Sequence, residues 1–196
     1  IPSFEGGVRP VATRRTVTTN IGLVAPEVTL PQQAQTQAQE TPTMHITGMV
    51  HININCSDFE RSKAFYEMLG FQIYWPVPET NTEEVANAVG MPKYHVQGAL
   101  MALQNAEQPM VIDLLEWKSP RDDSPPYPNL YRPGLARIAL SSADIDADYN
   151  FLVSKGVDVV SAPVNVHTSE TSYARFFCFK DPDGTFLELV QVVTAG

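Results

Sequence analysis

The sequence predicts an α+β protein built from two βαβββ modules, whose strands form a cup-shaped mixed sheet with the helices on its outer face. Two observations lead there. Across residues 44–196, period-two alternation and helical spacing succeed one another in the same order twice, and a glycine closes each predicted helix. A proline-rich connector separates the copies. Each copy is too small to bury its own sheet face, so the pair is expected to share one curved sheet.

In chain order, residues 1–43 come first and stand apart. They hold one aromatic (Phe4), five prolines, eight threonines and the polar run Gln32–Gln39, a composition that cannot bury enough surface to fold alone. Module one is expected at about 46–117. Val50, Ile52, Ile54 and Cys56 alternate with His51, Asn53 and Asn55, the pattern of a strand with one apolar and one polar face. Ser57-Asp58 offer an N-cap, and Phe59, Ala64, Phe65, Met68 and Leu69 follow at helical spacing until Gly70. Residues 71–75, 95–103 and 110–115 read as three further strands, separated by turn-rich or acidic stretches.

The linker is expected at 118–133 and module two at about 134–193. Leu135 to Ser141 reads as a strand and Asp144 to Lys155 as a helix closed by Gly156. Val157 to Val160, Tyr173 to Phe179 and Thr185 to Val192 complete the second set of strands.

The charge balance restricts function. Against 22 acidic residues stand 13 basic ones, and the net charge of −9 belongs wholly to residues 44–196, because three Arg and three Glu cancel in the first 43. Such a chain has little attraction for phosphate backbones or anionic lipid, so no nucleic acid and no membrane partner is expected. No apolar run approaches the roughly 20 residues that span a bilayer. The sequence also lacks the phosphate-cradling GxxxxGK[ST] and GxGxxG patterns. Cys56 and Cys178 form no CxxC pair and are expected as buried thiols in a reducing, cytoplasmic compartment; a chain opening on Ile leaves N-terminal processing open.

Four polar residues stand at matching places in the two halves. His51 and Arg137 lie on the first strands, and Asp113 and Glu188 lie on the last. Their neighbours at odd spacing are apolar and can face the helices, so the four share the concave face. A buried polar group without a partner costs several kcal/mol, on the order of a lost hydrogen bond or more. These four are therefore expected to be partnered with one another, a metal or a ligand.

Asp58-Phe-Glu-Arg-Ser-Lys-Ala-Phe-Tyr-Glu-Met-Leu-Gly-Phe71, Gly134-Leu-Ala-Arg-Ile-Ala-Leu140 and Lys180-Asp-Pro-Asp-Gly-Thr-Phe-Leu-Glu-Leu189, in that order on the repeated frame, resemble the vicinal oxygen chelate superfamily. That superfamily includes glyoxalase I, extradiol dioxygenases and the bleomycin-resistance proteins, and the resemblance runs from about 46 to 193. It implies a divalent metal held by one residue from each of four strands, with His51, Asp113 and Glu188 at the first, second and fourth ligand places. The third place departs from the pattern: where metal-binding members typically have His, this chain has Arg137, which is permanently protonated and offers no lone pair. Two accounts stay open. Either one divalent ion (iron, manganese, zinc or nickel) sits on His51, Asp113 and Glu188, or none binds and Arg137 pairs with a carboxylate in its place.

Other candidates have plainer readings. Glu116, three residues from Asp113, is expected on the surface. His95 and His167 are substitute ligands only if they reach the mouth of the cup, and His45 is expected to be bland. Tyr94, Trp75, Phe177 and Phe179 are expected in the core, with an aromatic pocket as the alternative.

Two functions follow from the resemblance. One is a lyase, isomerase or dioxygenase acting on a small oxygenated molecule, with Arg137 holding an anionic oxygen and Asp113 or Glu188 moving a proton if no metal binds. The other is a metal-free binding or sequestering protein of bleomycin-resistance type, whose carboxylates suit a cationic ligand. Both imply a homodimer, in which the tail could strap one subunit to another.

Overall fold

The structure, a computed structural model, describes residues 45–104, 106, 110–167 and 172–194; the segment 1–43, expected as a tail, lies outside the described residues. Residues Thr47–Gly196 form one compact unit. The first half holds β1 (Ile52–Cys56), α1 (Phe59–Met68), β2 (Phe71–Val77), α2 (Glu83–Val89), β3 (His95–Leu103) and β4 (Val111–Ser119). The second half holds β5 (Ile138–Ser141), α3 (Ile145–Ser154), β6 (Val164–His167), β7 (Ser172–Lys180) and β8 (Phe186–Thr194). The α+β class and the paired modules are as the repeat predicts.

Each module forms its own four-stranded sheet, in the orders β1-β4-β3-β2 and β5-β8-β7-β6. The expected single curved sheet is therefore two hydrogen-bonded sheets. In both, the first strand runs parallel to the last and the other pairings are antiparallel. The even-numbered apolar residues of β1 and β4 face a core that continues into the second half, where Ile138, Leu140, Phe177, Phe179, Leu187 and Leu189 join Ile54, Leu114, Tyr66 and Phe71. Phe177 and Phe179 thus belong to the core. Among the described residues no helix is long and apolar enough to cross a membrane.

The helices begin where the sequence offers caps. Asp58 accepts the Arg61 N–H at 3.0 Å, and Asp144 accepts the Ala147 N–H at 3.1 Å. Glu116 contradicts its expected place. It is buried, takes the Phe59 N–H at 3.0 Å and pairs with Lys118 at 2.6 Å and Arg121 at 3.2 Å. Burial works to raise its pKa, but bonds from Lys118, the Phe59 N–H and Arg121 outweigh it and leave the carboxyl below its ordinary value. It turns away from Asp113, as expected, but toward an unbonded helix N-terminus rather than water.

The turn Asp181-Pro-Asp-Gly184 docks on that same helix end. Asp183 accepts the Ser57 N–H at 3.1 Å and the Ser57 hydroxyl at 2.5 Å, and pairs with Arg61 at 2.5 Å. The buried Tyr66 hydroxyl donates to Asp181 at 3.0 Å. The DPDG turn is therefore also the polar joint between the modules.

Strand β5 opens at Ile138 rather than Leu135 and β1 at Ile52, so Arg137 and His51, expected on these strands, precede them; three further elements depart from the sequence pattern. Helix α2, capped by Thr82 and closed by Gly90 at φ 66°, occupies a stretch expected to be irregular. The strand expected at 157–160 is reduced to a single bridge between Val159 and Phe179, and its place in the sheet is taken by β6. Pro163 lies between the two pieces and has no N–H for the ladder, which divides the strand. Strand β4 runs on to Ser119, so the linker starts at 120.

Candidate functional site

The repeat holds at the level of register. In the parallel ladder β1–β4, Asn53 stands opposite Asp113; in β5–β8, Ala139 stands opposite Glu188. His51 and Arg137 each sit immediately before their strand and two residues ahead of those partners. The period-two pleat then puts His51, Asn53 and Asp113 on one face of the first sheet, and Arg137, Ala139 and Glu188 on the matching face of the second.

Arg137 Nε lies 2.5 Å from Glu188 Oε2. The carboxylate is 10% exposed and the arginine side chain 41%, so the pair runs from the sheet outward into accessible space. The Cys178 thiol, on β7 opposite Glu188, donates to the same oxygen at 3.7 Å. Burial, followed by the charge of Glu188, pushes this thiol's pKa up, and burial pushes that of Cys56 to about 12; both cysteines are free and buried, as expected.

Asp113 is held differently. The Asn53 amide donates to the Asp113 main-chain carbonyl at 3.1 Å and to carboxylate Oδ2 at 3.4 Å. Oδ1 is buried without a hydrogen-bond partner. Burial raises the pKa of Asp113 above its ordinary value, although the nearby exposed His51 and the Asn53 bond pull the other way.

A cavity of about 220 Å³ lies between the modules, walled by Asn53, Asn55, Tyr127, Leu135, Arg137 and Phe186, with Pro125 and Pro126 of the linker over it. Arg137 is the one charged residue among its walls. Asp113 and Glu188 stand behind the wall, each bonded to the residue that forms it. The amide network fixes what the wall offers: the Asn53 Nδ2 group is turned to Asp113, leaving its carbonyl oxygen as an acceptor, and the Asn55 carbonyl takes the Trp117 indole N–H at 2.8 Å, leaving its amide as a donor.

The donor set does not fit the metal implied by the resemblance. Among the described residues no three His, Cys, Asp or Glu side chains form a group that could hold an ion. Glu188 is already neutralised by a guanidinium, which repels a cation at the same place. His95 pairs with Glu79 at 3.6 Å and His167 packs on the Tyr173 ring, and neither lines this cavity. Asn53, Asn55 and Trp117 also belong to the site, beyond the residues that the sequence points to. The signal for the two asparagines was their alternation with Ile52, Ile54 and Cys56, which puts them on the face of His51.

Residues 48–189 match the family model described as Glyoxalase/Bleomycin resistance protein/Dioxygenase superfamily. The chain is 30% identical over 152 residues to the uncharacterized protein YwkD of Bacillus subtilis, covering 76% of this chain and 99% of that protein. Its fold is similar to that of a glyoxalase family protein from Bacillus cereus (TM-score 0.63, 17% identity, 77% of this chain and 99% of the other). It also resembles a glyoxylase/bleomycin resistance protein/dioxygenase domain from Frankia sp. (TM-score 0.51, 16% identity, 74% and 98%).

Proposed function

The chain belongs to the Glyoxalase/Bleomycin resistance protein/Dioxygenase superfamily, and from that premise we propose that its inter-module cavity binds a small oxygenated molecule through side chains rather than through a metal ion. The observation that carries this reading is the Arg137–Glu188 ion pair at 2.5 Å, which puts a fixed positive charge where the resemblance implies a ligand. Arg137, with its side chain 41% exposed, can hold an anionic oxygen, while the Asn53 carbonyl accepts from a neighbouring hydroxyl. A carboxylate next to a hydroxyl satisfies both. An anionic ligand is favoured over the expected cationic one, because Glu188 is paired with Arg137 and that guanidinium is the charge the wall carries. Asp113 and Glu188 act here as positioning residues, holding Asn53 and Arg137.

Metal content and ligand binding test this together. Chelator-free, untagged protein measured by mass spectrometry is expected to carry no stoichiometric metal that depends on His51, and Arg137→Gln is expected to weaken binding of 2-hydroxy acids at least tenfold. Near one equivalent of iron, manganese, zinc or nickel, lost in His51→Ala, overturns the reading.

One observation favours a second reading, that of a lyase or isomerase. Asp113 has an unpartnered oxygen and a pKa raised by burial; with the Asn53 amide swung from in front of it, that carboxylate would suit a base that takes a proton from carbon next to a carboxylate. Exchange of that carbon-bound hydrogen in heavy water, abolished by Asp113→Asn, supports it; exchange that survives the substitution rejects it. The superfamily premise also leads us to propose a homodimer, which sedimentation of the full chain tests.

A further inference from the structure

A second cavity of about 650 Å³ adjoins the first. The two share Asn55, Pro125, Pro126 and Thr185, so they are neighbouring chambers separated by one asparagine and the linker prolines. The larger is bounded by Trp117 at the end of β4, by Met91 after α2 and by Pro120 of the linker. The smaller falls below the few hundred cubic ångströms usual for a ligand pocket, whereas the larger lies within that range. A two- or three-carbon oxyacid has room in the first and leaves the second unexplained.

The walls of the larger chamber say what it would take. Its charged groups are already engaged. Arg121 pairs with Asp123 at 2.6 Å, Asp183 pairs with Arg61 at 2.5 Å, and Asp122 accepts the Ser124 N–H at 2.8 Å. Beside hydroxyls such as those of Ser124 and Thr185, the wall offers a ligand an apolar and aromatic side formed by Met91, the linker prolines and Trp117. The Trp117 ring is fixed at both ends, with its N–H on Asn55 and its face tilted against Tyr94 at a centroid distance of 4.9 Å. A ring held this way presents a preset surface for stacking.

We infer that the ligand is an aryl-bearing oxyacid whose acid head lies on Arg137 and Asn53 and whose aromatic body passes Asn55 into the chamber against Trp117. This rests on the proposed binding of the head at Arg137 and adds the identity of the body. Asn55 is the gatepost: its carbonyl is committed to Trp117, and its amide donors face a ligand that crosses between the chambers.

The test compares lactate with 3-phenyllactate, which share one head and differ by the aryl body, using both enantiomers and calorimetry on the full chain. Phenyllactate is expected to bind about tenfold tighter or more. Ser124→Phe, at an exposed linker position on the chamber, is expected to remove that advantage and leave lactate affinity unchanged. In Trp75→Phe, Trp117 is the sole tryptophan, and its emission is expected to shift with phenyllactate and stay constant with lactate. Equal affinities with a silent Trp117 overturn the aryl extension while leaving the head site standing. Binding of neither acid, or binding that Arg137→Gln leaves unchanged, overturns the reading beneath it and the extension with it.

Discussion

Asn53 faces Asp113 across the β1–β4 ladder and bonds both its main-chain carbonyl and its carboxylate, whereas Ala139, at the same position of the second module, has nothing to give Glu188. The two carboxylates therefore find their partners in different places. Asp113 is held sideways by an amide, and Glu188 is neutralised by Arg137 from the preceding residue pair. The repeat supplies equivalent positions, and one substitution in each copy makes them chemically unlike.

Removing that guanidinium should leave a buried charge uncompensated. Arg137→Met is expected to destabilise the protein by about 1–3 kcal/mol at pH 7, less than for a fully buried pair because the arginine is 41% exposed. Urea unfolding measures it. Adding Glu188→Gln should recover most of the loss, and no recovery would show that Arg137 acts through packing alone.

Asp113 should behave in the opposite sense with pH. Its folded pKa is raised by burial, so the folded state holds its proton more tightly than the unfolded chain, and stability falls as pH rises from the ordinary value of 3.8 through the folded one. Asp113→Asn is expected to be more stable than the parent at pH 7, with the difference vanishing below pH 3.8. Unfolding midpoints across that window decide the matter, and a parent that gains stability on ionising Asp113 contradicts it.

Asp183 supplies the acid-labile joint. Burial tends to raise its pKa, but the Ser57 hydroxyl and N–H and the Arg61 guanidinium outweigh this and hold it below 3.8. Its contribution is complete above 3.8 and is lost as pH falls through the lower folded value. Asp183→Asn should cost about 1–2 kcal/mol at pH 7 and nothing once the parent carboxyl is protonated. A difference that persists in acid would point to the amide's shape rather than to charge.

Gly134 controls the roof of the small cavity. At φ +132° it takes a conformation L residues rarely adopt, and a Cβ there would meet the Tyr127 hydroxyl at 2.5 Å. Gly134→Ala is expected to destabilise by about 1–3 kcal/mol and to displace Tyr127, which walls the cavity. Weaker binding of 2-hydroxy acids should accompany the loss; full affinity in the variant would show that Tyr127 is not part of the site.

Much of this architecture can be read from pattern, because β1, α1, β3 and α3 have strong apolar periodicity and side-chain caps. What escapes pattern is short or has no apolar contrast. All four residues of β6 are exposed, so Val164-Asn-Val-His167 alternates without any buried face to mark it. Helix α2 spans seven residues with one buried side chain, Ala86. In the site, the matching places of His51, Arg137, Asp113 and Glu188 are legible from the repeat. Which of them lines the cavity is not, because that depends on whether the facing residue is an asparagine or an alanine. Glu116 departs from its expected surface place for a related reason: facing the helix layer means burial when a helix end needs an acceptor.

Ser57 and Asp183 are separated by 126 positions, and Asn53 and Asp113 by 60. Ser57, just ahead of α1, and the Arg61 side chain thus wait for the last hairpin of the chain before Asp183 meets them. In time rather than space, the first module caps its own helix through Asp58 and Glu116, but Ser57 and Arg61 find their carboxylate partner only when the second module arrives. Such long-range closure slows folding and makes it cooperative between the halves. The two copies are consequently one folding unit, and neither is a spare of the other.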